Sequence, residues 1–126
     1  MVGQCNAAAY ASTKGASNTL SKNLALDLAQ YGIRVNNICP GWAETPLVNR
    51  WFALQSDEAA SRGYIYSIHP LGRIAIVDEI GQVALFLASD VSSFVTGVNL
   101  PVNGGVTLGS NCRRIWKGVV GQGDDK

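Results

Sequence analysis

Tyr10 and Lys14 are the residues of this sequence whose types and spacing could do chemistry. They lie four apart at the start of a Pro-free, Ala-rich stretch. On a helix that spacing stacks both side chains on one face. A phenol ionises near pH 10 (about three units above neutral) and is a poor proton donor or acceptor in neutral water. An ammonium a few ångströms away stabilises the phenolate, which turns the pair into a plausible general acid/base. The ammonium could also hold sugar hydroxyls. Ser12, between them in sequence, points to roughly the opposite side of the helix and is a poor catalytic partner. Tyr-x-x-x-Lys also arises by chance on many helices, so the surrounding text must decide.

Other reactive side chains carry weaker signals. His69, the single histidine, precedes Pro70 in a connector, which favours a structural or exposed role over catalysis. Cys39 stands at a strand end and reads as a small packing residue. With Cys5 and Cys112 the cysteines number three, without a CxxC pair. That argues against a zinc site or disulfide framework and for a reducing, cytoplasmic setting. Trp42, Trp51 and Phe52 could equally line a substrate pocket or pack a loop against the core.

The elements that must position these groups can be read from periodicity. Residues 9–31 have helix chemistry, with an apolar stripe at Ala16, Leu20, Leu24 and Leu28. Its other side, Ser12, Thr19, Asn23, Leu26 and Gln30, reads as solvated. Gly32 can supply the left-handed cap. Ile33 to Cys39 reads as a strand closed by a turn at Pro40-Gly41. Trp42 to Arg50 is loop-like, and 47–61 has room for a short helix around Trp51, Phe52 and Leu54. His69-Pro70-Leu71-Gly72 is a connector. A second helix runs from about Asp78 to Ala88, with acidic residues at its start and Ile80, Val83, Ala84 and Leu87 on its buried face. After Gly97, Val98 to Val102 is a strand whose Pro101 suits a sheet edge. Gly104-Gly105 closes it. Residues 110–126 show no convincing periodicity, a composition consistent with a poorly ordered tail.

The order helix–strand–loop–helix–strand implies an α/β class with parallel strands. Such sheets are normally covered by helices on both faces, and two short strands cannot make one alone. More strands, of this chain or of a partner, are therefore expected on the N-terminal side. The 126 residues are 47% hydrophobic and 15% charged, with a net charge of +1. This argues against disorder and gives no pull toward nucleic acid or anionic membranes. Arg113, Arg114 and Lys117 are too few for a nucleic-acid surface. No apolar run approaches the roughly 20 residues of a membrane span, and no charged-then-apolar leader opens the chain.

As a set, several segments resemble the short-chain dehydrogenase/reductase family. They are Ala9-Tyr10-Ala11-Ser12-Thr13-Lys14-Gly15-Ala16, Gly32-Ile33-Arg34-Val35-Asn36 and Pro40-Gly41-Trp42-Ala43-Glu44-Thr45-Pro46. Pro70-Leu71-Gly72-Arg73, Phe86-Leu87-Ala88-Ser89-Asp90 and Thr96 through Gly105 follow in the family's order and at its separations. The match covers roughly residues 3–109 and the C-terminal half of a family domain. The resemblance implies a partial Rossmann-like doubly wound parallel sheet that lacks the N-terminal βαβ nucleotide-binding half. It implies NAD or NADP as cofactor, and hydride transfer between the nicotinamide and a small alcohol or ketone. Tyr10 would be the acid/base, and Lys14 would assist it and bind the nicotinamide ribose. Pro40 and Gly41 would form the turn beside the nicotinamide. Ala43, by its backbone, would meet the carboxamide, and Thr45 the carboxamide or pyrophosphate. Residues from Pro46 to about His69 would form the substrate lid, and the family's subunit contacts are compatible with a homo-oligomer.

The sequence also departs from the family. No Gly-rich phosphate loop follows a strand here; Gly118-Val119-Val120-Gly121-Gln122-Gly123 is at the wrong end. The family's catalytic serine lies about a dozen residues before the tyrosine, whereas the nine residues before Tyr10 contain neither Ser nor Thr. The acidic residue that would read the adenosine ribose is missing, and Asn103 stands where Asp is common. These departures leave open whether this polypeptide itself performs hydride transfer. The alternative expectation is a truncated, catalytically inactive relative acting as a binding or assembly module, or an incomplete gene product.

Overall fold

A computed structural model describes residues 6–109. The tail expected at 110–126 lies outside the described residues. Six elements follow one another: α1 (Ala8–Ala29), β1 (Asn37–Pro40), α2 (Pro46–Ala53), α3 (Glu58–Ile68), α4 (Val77–Ala88) and β2 (Asn99–Val102). A short 3-10 turn at Asp90–Ser92 leads out of α4. The chain divides into two compact units, and of the described residues the first takes 6–40 and 78–102, the second 41–77 and 103–109.

In the first unit β1 and β2 pair in parallel, in the register Asn37↔Asn99, Ile38↔Leu100, Cys39↔Pro101 and Pro40↔Val102. The fold is α/β with a parallel sheet, as the element order implies. Both Pro40 and Pro101 lack an N–H, so neither strand could sit paired on both sides along its whole length. The strand expected from Ile33 begins only at Asn37. The segment before it spends its polar groups otherwise. Arg34 donates to Ser92 Oγ at 2.9 Å, Ser89 O at 3.1 Å and Val95 O at 3.3 Å. Asn36 donates to Val95 O and accepts from Val98 N. Side chains thus satisfy the 89–98 backbone where a ladder would have done so.

α1 ends where Gly32 supplies a φ of +70°, after Gly32 N bonds Ala29 O at 2.9 Å. Its inward face differs from the expected leucine stripe. Ser21 and Ala25 are the buried residues; of the expected stripe Ala16, Leu20 and Leu24 are exposed and Leu28 is half-buried, while Leu26 is exposed as expected. Ala25 faces Gly97, its Cβ 3.6 Å from where a side chain on Gly97 would begin. α4 starts with Asp78 and Glu79 as expected, and Ile80, Val83 and Leu87 are half-buried, but Ala84 is exposed.

The second unit holds a small core of Phe52, Ile65 and Ile74, with Trp42, Val48, Tyr66 and Ile68 against it. Two helices, not a loop and one short helix, build it. α2 begins at Pro46, with the Thr45 hydroxyl oxygen accepting from Val48 N at 3.2 Å. α3 is capped by Asp57, whose carboxylate accepts from Ala60 N at 2.8 Å. Arg62 stacks 4.3 Å over the Phe52 ring and pairs with Glu58 at 2.8 Å. That hydrogen bond holds the guanidinium pKa above its ordinary value.

Candidate active site

Tyr10 and Lys14 lie in the first two turns of α1, which has neither a side-chain cap nor an acidic residue there. The ammonium of Lys14 sits 5.4 Å from the Tyr10 ring centroid, so the two side chains are in contact on one face. Tyr10 is 61% exposed and Lys14 is exposed as well. A surface cation–π pair of this kind is worth only about 0.5–1 kcal/mol. Its interest is chemical: a phenol and an ammonium side by side, both exposed.

The position of the pair on α1 is tied to the strands. Asn37, the first residue of β1, meets Ser21, and Cys39 Sγ, two residues on, lies 3.9 Å from Asn18 Oδ1. Moving up β1 therefore moves toward the start of α1. Tyr10 and Lys14 stand toward the carboxyl end of the strand, the end at which open α/β sheets bind ligands.

Pro40 closes β1 and is exposed. Of the six positions singled out, Tyr10, Lys14 and Pro40 fall in the first unit and Gly41, Ala43 and Thr45 in the second. Gly41 leaves no room for a side chain, because a Cβ there would stand 2.9 Å from Asn103 Cα and Cβ. Ala43 bridges Ala75 in parallel, through Ala75 N to Trp42 O at 3.0 Å and Glu44 N to Ala75 O at 2.8 Å. In such a bridge the flanking residues make the bonds, so the N–H and C=O of Ala43 point to the other side. Thr45 caps α2 through its hydroxyl oxygen and keeps its O–H proton to donate.

The remaining candidates resolve as packing. Phe52 is fully buried, Trp42 lies 5.0 Å from Trp51 and 6.0 Å from Phe52, and Trp51 keeps a 40% exposed face. His69 is structural and buried rather than exposed: its Nδ1 meets Ile65 O at 2.7 Å at the end of α3, and its Nε2 has no partner among the described residues. Cys39 is a free, half-buried thiol. Among the described residues no group of three His, Cys, Asp or Glu comes together, and no helix is long and apolar enough to cross a membrane. Asn37 was not singled out in the sequence, although consecutive asparagines entering a strand, where Asn is disfavoured, were a signal.

A family model described as Enoyl-(Acyl carrier protein) reductase matches residues 1–107. An L-fucose dehydrogenase of Oryctolagus cuniculus is 45% identical over 118 residues, covering 94% of this chain and 41% of that protein. A trans-4-hydroxycyclohexanecarboxylate dehydrogenase of Sinomonas cyclohexanicum is 44% identical over 114 residues, covering 90% of this chain and 40% of its own length. The chain thus spans about two fifths of the curated relatives it matches. Among solved structures, a short chain dehydrogenase family protein from Francisella tularensis superposes with a TM-score of 0.80 at 37% identity, over 86% of this chain and 47% of that one. A gluconate 5-dehydrogenase from Burkholderia cenocepacia, in complex with NADP and tartrate, gives 0.77 at 38% identity, over 86% and 41%.

Proposed function

Because this chain belongs to the short-chain dehydrogenase/reductase family, we propose that the protein carrying it is a nicotinamide-dependent oxidoreductase acting on a small alcohol or ketone, with Tyr10 as its acid/base. The observation that carries this reading is the exposed Tyr10 phenol with the Lys14 ammonium 5.4 Å from its ring centroid.

Donors on each unit, taken separately, suit parts of a nicotinamide nucleotide. A primary carboxamide offers one donor and one acceptor side by side, and the outward N–H and C=O of Ala43 offer the complement. The ammonium of Lys14 has three donors for ribose hydroxyls. The Thr45 O–H can donate to the carboxamide or pyrophosphate. Pro40 and Gly41 form the turn beside the nicotinamide ring. When bound, the nicotinamide supplies or accepts the hydride.

The chain's own residues handle the proton. In the direction of reduction, Tyr10 Oη–H donates to the substrate oxygen as negative charge develops there. In oxidation, the phenolic oxygen takes the hydroxyl proton instead. Lys14 stabilises the negative charge that Tyr10 carries once its proton has gone, and positioned acid/base groups of this kind contribute about 10²–10⁴-fold.

Relatives bearing the names of an L-fucose dehydrogenase, a trans-4-hydroxycyclohexanecarboxylate dehydrogenase and a gluconate 5-dehydrogenase favour small hydroxylated substrates. The test is a titration of the purified protein with NADH and NADPH, followed by nicotinamide fluorescence, then turnover of sugars and alicyclic alcohols with NAD+ or NADP+, followed at the absorbance of the reduced nicotinamide. Saturable binding with turnover supports the reading. Absence of both from the protein that contains these residues contradicts it.

A further inference from the structure

α1 carries the proposed acid/base pair, yet among the described residues apolar packing does little to set its orientation. Ser21 and Ala25 are its buried residues, Asn18 and Leu28 are half-buried, Leu20, Leu24 and Leu26 are exposed, and its first turn is uncapped. Small side chains bury little area and so contribute little to fixing a helix's rotation about its own axis. Directional bonds add to it, and among the described residues Asn37 supplies most of those made to α1.

The carboxamide nitrogen of Asn37 meets four oxygens. They are Ser21 Oγ at 2.8 Å, Asn18 Oδ1 at 3.2 Å and Ser17 O at 3.3 Å on α1, and Asn99 Oδ1 at 3.0 Å on β2. Four acceptors around one NH2 fix the amide with its nitrogen toward the helix. Ser21 Oγ is held in turn by donating to Asn18 O at 3.1 Å. At 3.6 residues per turn, Tyr10, Lys14, Asn18, Ser21 and Ala25 share a stripe about 80° wide. The clamp grips the same stripe as the acid/base pair, one turn beyond Lys14. Any rotation of α1 that Asn37 permits is passed directly to Tyr10 and Lys14.

We propose that Asn37 is a positioning residue of the acid/base pair: its side-chain amide sets the rotation of α1 and so the direction in which Tyr10 and Lys14 present. This rests on the reading of Tyr10 given above. Asn37→Asp keeps the shape but turns a double donor into an acceptor: Ser17 O cannot donate back, the Ser21 hydroxyl would have to leave Asn18 O, and the Asn18 and Asn99 amides would have to turn over.

The test uses the full protein with 3-fluorotyrosine at position 10. Folding is checked by thermal melting, the fluorine resonance is read without any ligand, and kcat and KM are then measured separately. The expected result is a folded N37D whose fluorine resonance is displaced and whose kcat falls about tenfold or more, since misplacement of a reacting group is costly, with substrate KM nearly unchanged. A loss of stability alone would lower the melting temperature and leave the folded-state resonance in place. A folded variant whose resonance or kcat matches the parent overturns the proposal. If N37D fails to fold, Ser21→Ala, which removes the shortest acceptor, is read by the same criteria. Full activity of Tyr10→Phe would instead sink the acid/base reading, and the fluorine comparison, which needs no turnover, would still decide the role of Asn37.

Discussion

Gly41 lets a packing argument be set against a helix-propensity argument within one unit. A Cβ at Gly41 would lie 2.9 Å from both Cα and Cβ of Asn103 and 3.3 Å from its carbonyl oxygen. These are backbone and near-backbone atoms, so no flexible side-chain end can swing away. Asn103 is also held from two sides: its Nδ2 donates to Thr107 Oγ1 at 2.8 Å, and its Oδ1 accepts from Gly105 N at 3.1 Å. Gly41→Ala should therefore cost about 1–3 kcal/mol, the usual penalty for overpacking. Gly63, within α3, is the matched control. Nothing lies within 4 Å of a Cβ there and its φ is not positive, so Gly63→Ala should gain about 1 kcal/mol from helix propensity. Equilibrium urea denaturation of both variants should show them separated by about 2–4 kcal/mol, in opposite directions from the parent. A G41A protein within about 0.5 kcal/mol of the parent would refute the claim that the backbone at Asn103 excludes a side chain.

Phe52→Ala should cost about 3–5 kcal/mol in the same assay, because the ring is fully buried between Ile65 and Ile74 and carries the Arg62 guanidinium above it. Arg34→Met keeps the apolar stem but removes hydrogen bonds to Ser92, Ser89 and Val95, at a cost of about 1–3 kcal/mol. The local signature would be faster amide exchange at Gly97, whose N–H bonds Val35 O at 2.7 Å. Unchanged exchange there would show that the arginine does not hold the 89–97 segment.

The elements with one exposed and one half-buried face were legible in the sequence. α4 could be placed because Ile80, Val83 and Leu87 recur at helical spacing behind two acidic residues. β2 could be placed because Gly97 and Gly104 bracket it, and both take positive φ. The inward face of α1 was not legible, because leucines outweigh Ser21 and Ala25 in any periodicity, yet Leu20, Leu24 and Leu26 are exposed. The start of β1 was misplaced because Arg34 and Asn36 satisfy backbone groups through side chains, a pairing that alternation cannot reveal. α2 and α3 carried signals that periodicity passed over: Thr45-Pro46 is an N-cap followed by a first-turn proline, and Asp57 is an N-cap. For the site, the Tyr10–Lys14 contact followed directly from four-residue spacing. The outward-facing edge of Ala43 did not, because it depends on a bridge to Ala75, distant in sequence.

The proton-transfer role of Tyr10 is tested most directly by Tyr10→Phe, which removes one oxygen from an exposed ring and leaves its contact with Lys14 available. In the protein that contains this chain, nicotinamide nucleotide binding should stay within about threefold of the parent, while kcat falls by about 10²-fold or more. Turnover equal to that of the parent, with the phenolic oxygen gone, would contradict the account.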